Sequence, residues 1–308
     1  LGSRPYRSSS SARARRIDYF DAVGVEGRKS TGGRDSTKGT VTVWLASRLK
    51  GGNPVRRALV LIYGVLGVAS FIVAANYLIG FLADFVVPKA IDTGPASRFW
   101  MAIAIDIGLL ALFAIQHSVM ARLRFKRWWT RLIPRSIERS TYVVSSSLLF
   151  ALLVWQWHPI EGVIWEVSSG WTRVLLWSLF AVGWGVATLA GFNLDFAYMF
   201  GLKQAYNYAR RREPAPLRFQ TPGLYRYLRH PVTLGFLLGF WITPRMTTGH
   251  LLFASAMSAY LLIALKFEER DLVEKYGDQY THYQDAVPML FPIPGRSWDL
   301  GAPHGKQA

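Results

Sequence analysis

Arg229-His230-Pro231-Val232-Thr233-Leu234-Gly235-Phe236-Leu237-Leu238-Gly239-Phe240-Trp241 opens on a basic pair and a proline and then turns apolar. A turn follows near Thr243–Gly249. A second apolar arm returns from His250 to Lys266 and ends on Phe267-Glu268-Glu269-Arg270-Asp271-Leu272. An α-helix rises about 1.5 Å per residue, so the first arm climbs roughly 20 Å and the second descends roughly 25 Å. Residues 229–230 and 268–269 are therefore expected at one level, facing each other across a hairpin. A basic pair opposite an acidic pair, beside a bilayer, is a candidate small-molecule site.

Working outward, the rest of the chain shares this apolar character. Of the 308 residues 51% are hydrophobic, and they collect into runs of about 20 with arginines gathered between them. That is the pattern of a polytopic membrane protein. The net charge of +17 would suggest a nucleic-acid partner if it covered one soluble face. Here much of it lies in short loops flanking apolar runs, where membrane topology accounts for it, and no nucleic-acid partner is expected. The chain has no cysteine, which excludes disulfides, thiolate metal sites and cysteine nucleophiles.

Residues 1–50 form a basic tail. Its first 40 residues, rich in Ser, Arg and Gly, hold too few apolar residues to offset the entropy of ordering. A transit peptide is weakened by Asp18, Asp21, Glu26 and Asp35. An integral membrane domain is expected over 51–293, followed by a C-terminal tail, 294–308. Spans are expected from about Ala58 to Phe85, Phe99 to Met120, Thr141 to Trp157 and Trp171 to Gly191, and the hairpin follows them. Arg48, Lys50, Arg56 and Arg57 precede the first span, and the loop after the second carries Arg122, Arg124, Lys126, Arg127, Arg131, Arg135 and Arg139. The positive-inside rule puts these segments in the cytoplasm, with both termini there as well. The expected fold is all-α: four transmembrane helices plus a C-terminal helical hairpin, with a site on the cytoplasmic side. The hairpin arms are short for a full crossing, so they extend into flanking residues or are only partly embedded and lean on the other helices. Gly235 and Gly239 form a small-residue pair suited to close helix packing.

Polar residues at membrane depth are costly, so they mark function more often than in a soluble protein. Gln116-His117-Ser118 sits at the cytoplasmic end of the second span, and Asp106 lies deeper in it. Asn193 and Asp195 follow the fourth span, and His250 follows the hairpin turn. Each could instead be a helix–helix hydrogen bond or a boundary residue. The six histidines make no HExxH motif and no i, i+4 pair, so no metal site is expected. Gly183-Trp184-Gly185 lacks the third glycine of a dinucleotide fingerprint, and no phosphate-binding loop occurs.

The pairing of Arg229-His230-Pro231 and Gly235 with Glu268-Glu269 and Leu272 resembles the membrane methyltransferases. That group includes isoprenylcysteine carboxyl methyltransferases and phospholipid N-methyltransferases. Tyr276-Gly277, Tyr280 and Tyr283 fit the same pattern, while Thr233 stands where many members carry an aromatic residue. Within the group the chain is similar to the nurim-like branch, to which the methanethiol S-methyltransferases belong, over roughly residues 55 to 293. The likeness rests on Gln116-His117-Ser118-Val119-Met120-Ala121-Arg122, Glu138-Arg139-Ser140-Thr141-Tyr142, Trp155-Gln156-Trp157 and Phe200-Gly201-Leu202-Lys203-Gln204. Asp195-Phe196-Ala197-Tyr198 departs from the Asn-His-Phe-Asp-like run of that branch, which bears on the acceptor. The resemblance implies an S-adenosylmethionine cofactor and methylation of methanethiol, or a similar small volatile thiol, to dimethyl sulfide. It implies cofactor contacts from Arg229, His230, Pro231, Gly235, Glu268 and Glu269. His117 is the candidate general base with His230 in reserve, and Gln116, Ser118, Asp195 and Tyr198 are candidates for the acceptor pocket. Two other readings stay open: methylation of a prenylcysteine carboxylate or lipid amine, and a non-catalytic nurim-like scaffold. The oligomeric state is not legible.

Overall fold

The computed structural model describes residues 53–95, 97–213, 219–294 and 297–298. The expected tail 1–50 lies outside the described residues, as does most of 294–308. Long helices dominate: α1 Pro54–Ala83, α2 Phe99–Ala121, α3 Leu123–Trp129, α4 Arg135–Gln156, α5 Gly170–Asn193, α6 Phe196–Met199, α7 Leu202–Arg210, α8 Pro231–Trp241, α9 Thr248–Tyr276 and α10 Asp278–Ala286. A short ribbon of β1 Val163–Glu166 and β2 Arg245–Thr247 and a 3-10 turn at Gly223–Arg226 accompany them among the described residues. Among the described residues five helices (α1, α2, α4, α5 and α9) are long and apolar enough to cross a membrane. Their outer faces stay uncovered by protein: Val73, Leu148, Leu189 and Ile263 are all more than half exposed. Such a surface suits lipid and not water, and the protein is an all-α polytopic membrane protein.

Local chemistry sets the helix boundaries. Asn53 caps α1 by accepting from the Val55 N–H (3.1 Å), and Pro54 occupies the first turn, where a missing N–H costs nothing. Thr247 caps α9 by accepting from the His250 N–H (3.2 Å). α9 stops at Gly277, whose φ of +57° is a backbone conformation that suits glycine. α4 begins at Arg135, earlier than the apolar run at Thr141 suggests, because its first turns are polar and carry Glu138 near the positive helix end.

Three connections meet at one end of the bundle. β1, between α4 and α5, pairs antiparallel with β2, between α8 and α9. The Thr247 hydroxyl donates to Asp92 in the α1–α2 connection (2.6 Å). An aromatic core lies towards this end, with Phe81, Trp157, Phe240 and Phe253 packed edge to face. Two of the polar residues noted in the sequence are absorbed into this half. His250 is 1% exposed and donates through Nε2 to the Phe240 carbonyl (2.9 Å). Asp106 is fully buried and accepts the His158 N–H (3.0 Å). The opposite end holds α3, α6, α7 and α10.

The last hairpin is lopsided. α8, with 11 residues, packs mainly on α5 and only secondarily on its partner arm α9. Glycine makes this possible: a Cβ built on Gly235 would stand 2.5 Å from the Gly183 carbonyl oxygen, and one on Gly239 would stand 2.6 Å from the Trp184 ring. Gly235→Val is expected to destabilise the protein by about 1–3 kcal/mol or more, since backbone rather than a flexible side chain must yield. The check is a thermal melt of the detergent-purified variant; an unchanged melting temperature would contradict this packing.

Candidate functional site

At the Arg229 end, the two hairpin arms meet as their levels require. The segment before α8 is pinned from outside, because the backbone N–H groups of Arg229 and His230 donate to the carbonyls of Pro288 (3.0 Å) and Met289 (3.1 Å). Pro231 forces His230 away from helical geometry and starts α8 directly after it. The His230 side chain, 6% exposed, donates through Nε2 to Glu269 Oε1 (2.6 Å). The same oxygen accepts from the Tyr280 hydroxyl (2.9 Å), and Oε2 accepts from the Gln284 amide. Burial, with the Glu269 charge beside it, pushes the Tyr280 phenol up, so it remains a donor. Arg229 Nε lies 3.3 Å from Glu269 Oε1, yet its N–H is not aligned on it and makes no hydrogen bond. Glu269 is thus a hub: one carboxylate, three donors and an adjacent guanidinium.

Its neighbour differs. Successive helical residues point about 100° apart. When Glu269 faces the hub, the Glu268 side chain therefore turns outward and is 59% exposed. Its Oε2 stands 3.9 Å from His230 Nδ1, too far for a hydrogen bond. The site so offers one carboxylate without a hydrogen-bonded partner and one buried Arg229 donor without an acceptor. Those are the two complements that the ammonium and carboxylate of an amino acid require, and the residues fit the zwitterionic end of S-adenosylmethionine. A cleft of about 330 Å³ opens on Glu269 and is lined further by Arg270, Val273, Glu274 and Gln284; neither Glu268 nor Arg229 lines it.

A second polar cluster lies between α2, α4 and α9. Ser146 donates to Gln116 Oε1 (3.3 Å), which leaves its oxygen to accept from His117 Nδ1 (3.3 Å). His117 Nε2 stands 2.7 Å from the Tyr142 hydroxyl. The Ser118 hydroxyl reaches Tyr260 on α9 (3.4 Å), and Phe113 stacks on the imidazole with ring centroids 5.5 Å apart. Arg122, one turn beyond Ser118, pairs with Asp271 on α9 (3.3 Å) and lies over the Phe267 ring. α9 therefore passes both clusters, with Tyr260 at one and Glu268 and Glu269 at the other.

The remaining sequence candidates fall as follows. Gly235 is taken up by the α5–α8 contact described above. Asp195 caps α6 by accepting from the Tyr198 N–H (3.1 Å) and pairs with the Lys203 ammonium. The segment containing Tyr198 is tied to α4 by Arg139, whose Nε donates to the Met199 carbonyl (2.6 Å) while its guanidinium carbon stands 5.0 Å from the centre of the Tyr142 ring. Sequence reasoning did not single out Ser146, Tyr260 or Gln284, and it gave no role to Tyr142 or Tyr280. The available signal was the i, i+4 pairing of Tyr142 with Ser146 and of Tyr280 with Gln284, which puts each pair on one helix face.

Comparison with known proteins adds the following. The chain is similar to the methanethiol S-methyltransferase of Mycobacterium tuberculosis, at 48% identity over 242 residues, covering 79% of this chain and 99% of that protein. It is similar to the methanethiol S-methyltransferase of Crocosphaera subtropica, at 45% identity over 240 residues, covering 78% of this chain and 94% of that one. Human nurim is 34% identical over 179 residues, covering 55% of this chain and 68% of nurim. No family model matches the chain. No solved structure matches it.

Proposed function

The chain belongs to the methanethiol S-methyltransferase family, and from that premise we propose that it transfers the methyl group of S-adenosylmethionine to methanethiol, giving dimethyl sulfide. The observation that carries this reading is the cluster of Arg229, His230, Glu268 and Glu269 where the hairpin arms meet, in a chain so similar to these enzymes over nearly their whole length. In this reading Glu268 holds the cofactor's ammonium and Arg229 its carboxylate. His230 and Glu269 keep both in place, while Pro231 and Gly235 fix where α8 begins and how deep it sits. Bound there, the cofactor supplies an electrophilic methyl group on a cationic sulfonium.

The chain's own residues then have two tasks. One is alignment of the acceptor, which can contribute roughly 7–11 kcal/mol to a displacement of this kind. The other is removal of the thiol proton, because the thiolate is the nucleophile. A cysteine-like thiol has a pKa of about 8.5 and a simple alkyl thiol a higher one, so little thiolate exists at neutral pH. His117, held with Gln116 and Ser118 in the second cluster, is the base in this reading. Asp195 and Tyr198 close the acceptor pocket on the α6 side. A small apolar thiol partitions into the bilayer and enters between helices. In this reading, by the positive-inside rule, the basic residues at this end face the cytoplasm, where the soluble cofactor arrives.

Purified protein given a methyl-labelled cofactor and equal amounts of methanethiol, a prenylcysteine and a lipid amine is expected to label only the volatile product. Label appearing in the prenyl ester or the lipid would replace this acceptor assignment.

A further inference from the structure

Resting on the methyl-transfer reading above, we propose that the thiol hands its proton to Tyr142, and that His117 stores it one hydrogen bond further in. The argument begins with the direction of each bond. The Gln116 carbonyl oxygen can only accept, so Ser146 donates to it. Having spent its proton there, Ser146 accepts from His117, whose Nδ1 therefore carries the hydrogen. The lone pair of the neutral imidazole is then on Nε2, and the Tyr142 hydroxyl donates to it at 2.7 Å. The basic nitrogen of His117 is capped, and the open acceptor at the end of the chain of bonds is the Tyr142 oxygen.

Proton removal consequently runs in two linked hops. As the hydroxyl proton of Tyr142 moves to His117 Nε2, the S–H bond of the thiol breaks and its proton replaces it on the Tyr142 oxygen. The products are a thiolate, a neutral tyrosine and an imidazolium. When the thioether has left, the proton returns by the same two hops and is released. The Arg139 guanidinium, 5.0 Å from the Tyr142 ring centre, favours negative charge on the Tyr142 oxygen and opposes the positive charge on His117, so the imidazolium is short-lived. Ile115 and Leu148, close to the cluster along α2 and α4, have exposed side chains. The ionisable groups around His117 and Tyr142 are Arg139 and Glu138 from α4 and Tyr260 from α9.

The test compares wild type, Tyr142→Phe, His117→Gln and the double variant, with dimethyl sulfide formation followed from pH 6.5 to 9.5 at saturating cofactor. Each single variant is expected to be roughly 100-fold slower at pH 7, the lower end of what acid–base assistance supplies. The double variant should be no slower than His117→Gln, because the two act as one unit. The deficit should shrink as pH approaches the thiol's own pKa, where free thiolate no longer needs the relay. Tyr142→Phe should bind S-adenosylhomocysteine with wild-type affinity. A wild-type pH profile in Tyr142→Phe, or a deficit constant across the whole range, would overturn the relay. If Tyr142→Phe is not monodisperse on gel filtration, 3-fluorotyrosine at position 142 keeps the packing and makes the phenol more acidic. It should move the low-pH limb of the profile, and an unmoved limb would overturn the relay. No product from the wild-type chain would remove the underlying methyl-transfer reading and the relay with it, whereas normal wild-type turnover with an unaffected Tyr142→Phe removes the relay alone.

Discussion

Glu269→Ala is expected to lower the melting temperature of the purified protein by roughly 10 °C and to abolish binding of S-adenosylhomocysteine. The side chain is 12% exposed and carries bonds from His230, Tyr280 and Gln284, with Arg229 beside it. Its removal leaves a buried guanidinium and three donors without their acceptor. Breaking one partner of a buried ionic cluster costs about 3–5 kcal/mol. For a chain of this size that corresponds to a fall of roughly 6–20 °C. The loss spreads further than one residue, because Tyr280 and Gln284 belong to α10. The C-terminal stretch through Met289 is what holds the Arg229 and His230 backbone. A circular-dichroism or fluorescence melt checks the first part and calorimetric titration the second. A variant that melts with wild type would show that Glu269 is no hub.

Glu268→Gln is expected to have the opposite signature: an unchanged melt and a large loss of cofactor affinity. The Glu268 side chain is mostly exposed and, among the described residues, makes no hydrogen bond and only a long 3.9 Å approach to His230, so its charge contributes little to stability. A hydrogen bond from a cationic ammonium to a carboxylate is worth about 1.5–3 kcal/mol. Replacement by the neutral amide should therefore weaken S-adenosylhomocysteine binding by roughly 10- to 150-fold. Equal affinities in Glu268→Gln and wild type would take Glu268 out of the cofactor site. The two adjacent glutamates are thus separable by experiment, one through stability and the other through binding.

That separation was not legible in the sequence, which marks Glu268 and Glu269 alike. Neighbouring helical positions diverge by about 100°, and only the docking of α10 decides which carboxylate turns inward. What the sequence does carry is depth. Apolar run lengths set the spans, and arm lengths put Arg229–His230 level with Glu268–Glu269, where the structure joins them at 2.6 Å. Gln116-His117-Ser118 was likewise visible, as three polar residues in an apolar helix. Its partners were not, because contact between Tyr142 or Tyr260 and His117 depends on how α4 and α9 are rotated. The β1–β2 ribbon is too short to show a two-residue alternation. The preference of α8 for α5 over α9 rests on Gly183 and Trp184, where small and large residues alternate in a way that only packing interprets.

The central claim, methyl transfer to a small thiol, is tested most directly in the gas phase. Membranes containing the protein would receive methanethiol and S-adenosylmethionine deuterated in its transferable methyl group, with the headspace followed by gas chromatography and mass spectrometry. The account predicts dimethyl sulfide carrying one deuterated methyl group, above the level from empty-vector membranes and much reduced in Glu268→Gln at limiting cofactor. No labelled dimethyl sulfide above the empty-vector level, with the protein present and folded in the membrane, would contradict it.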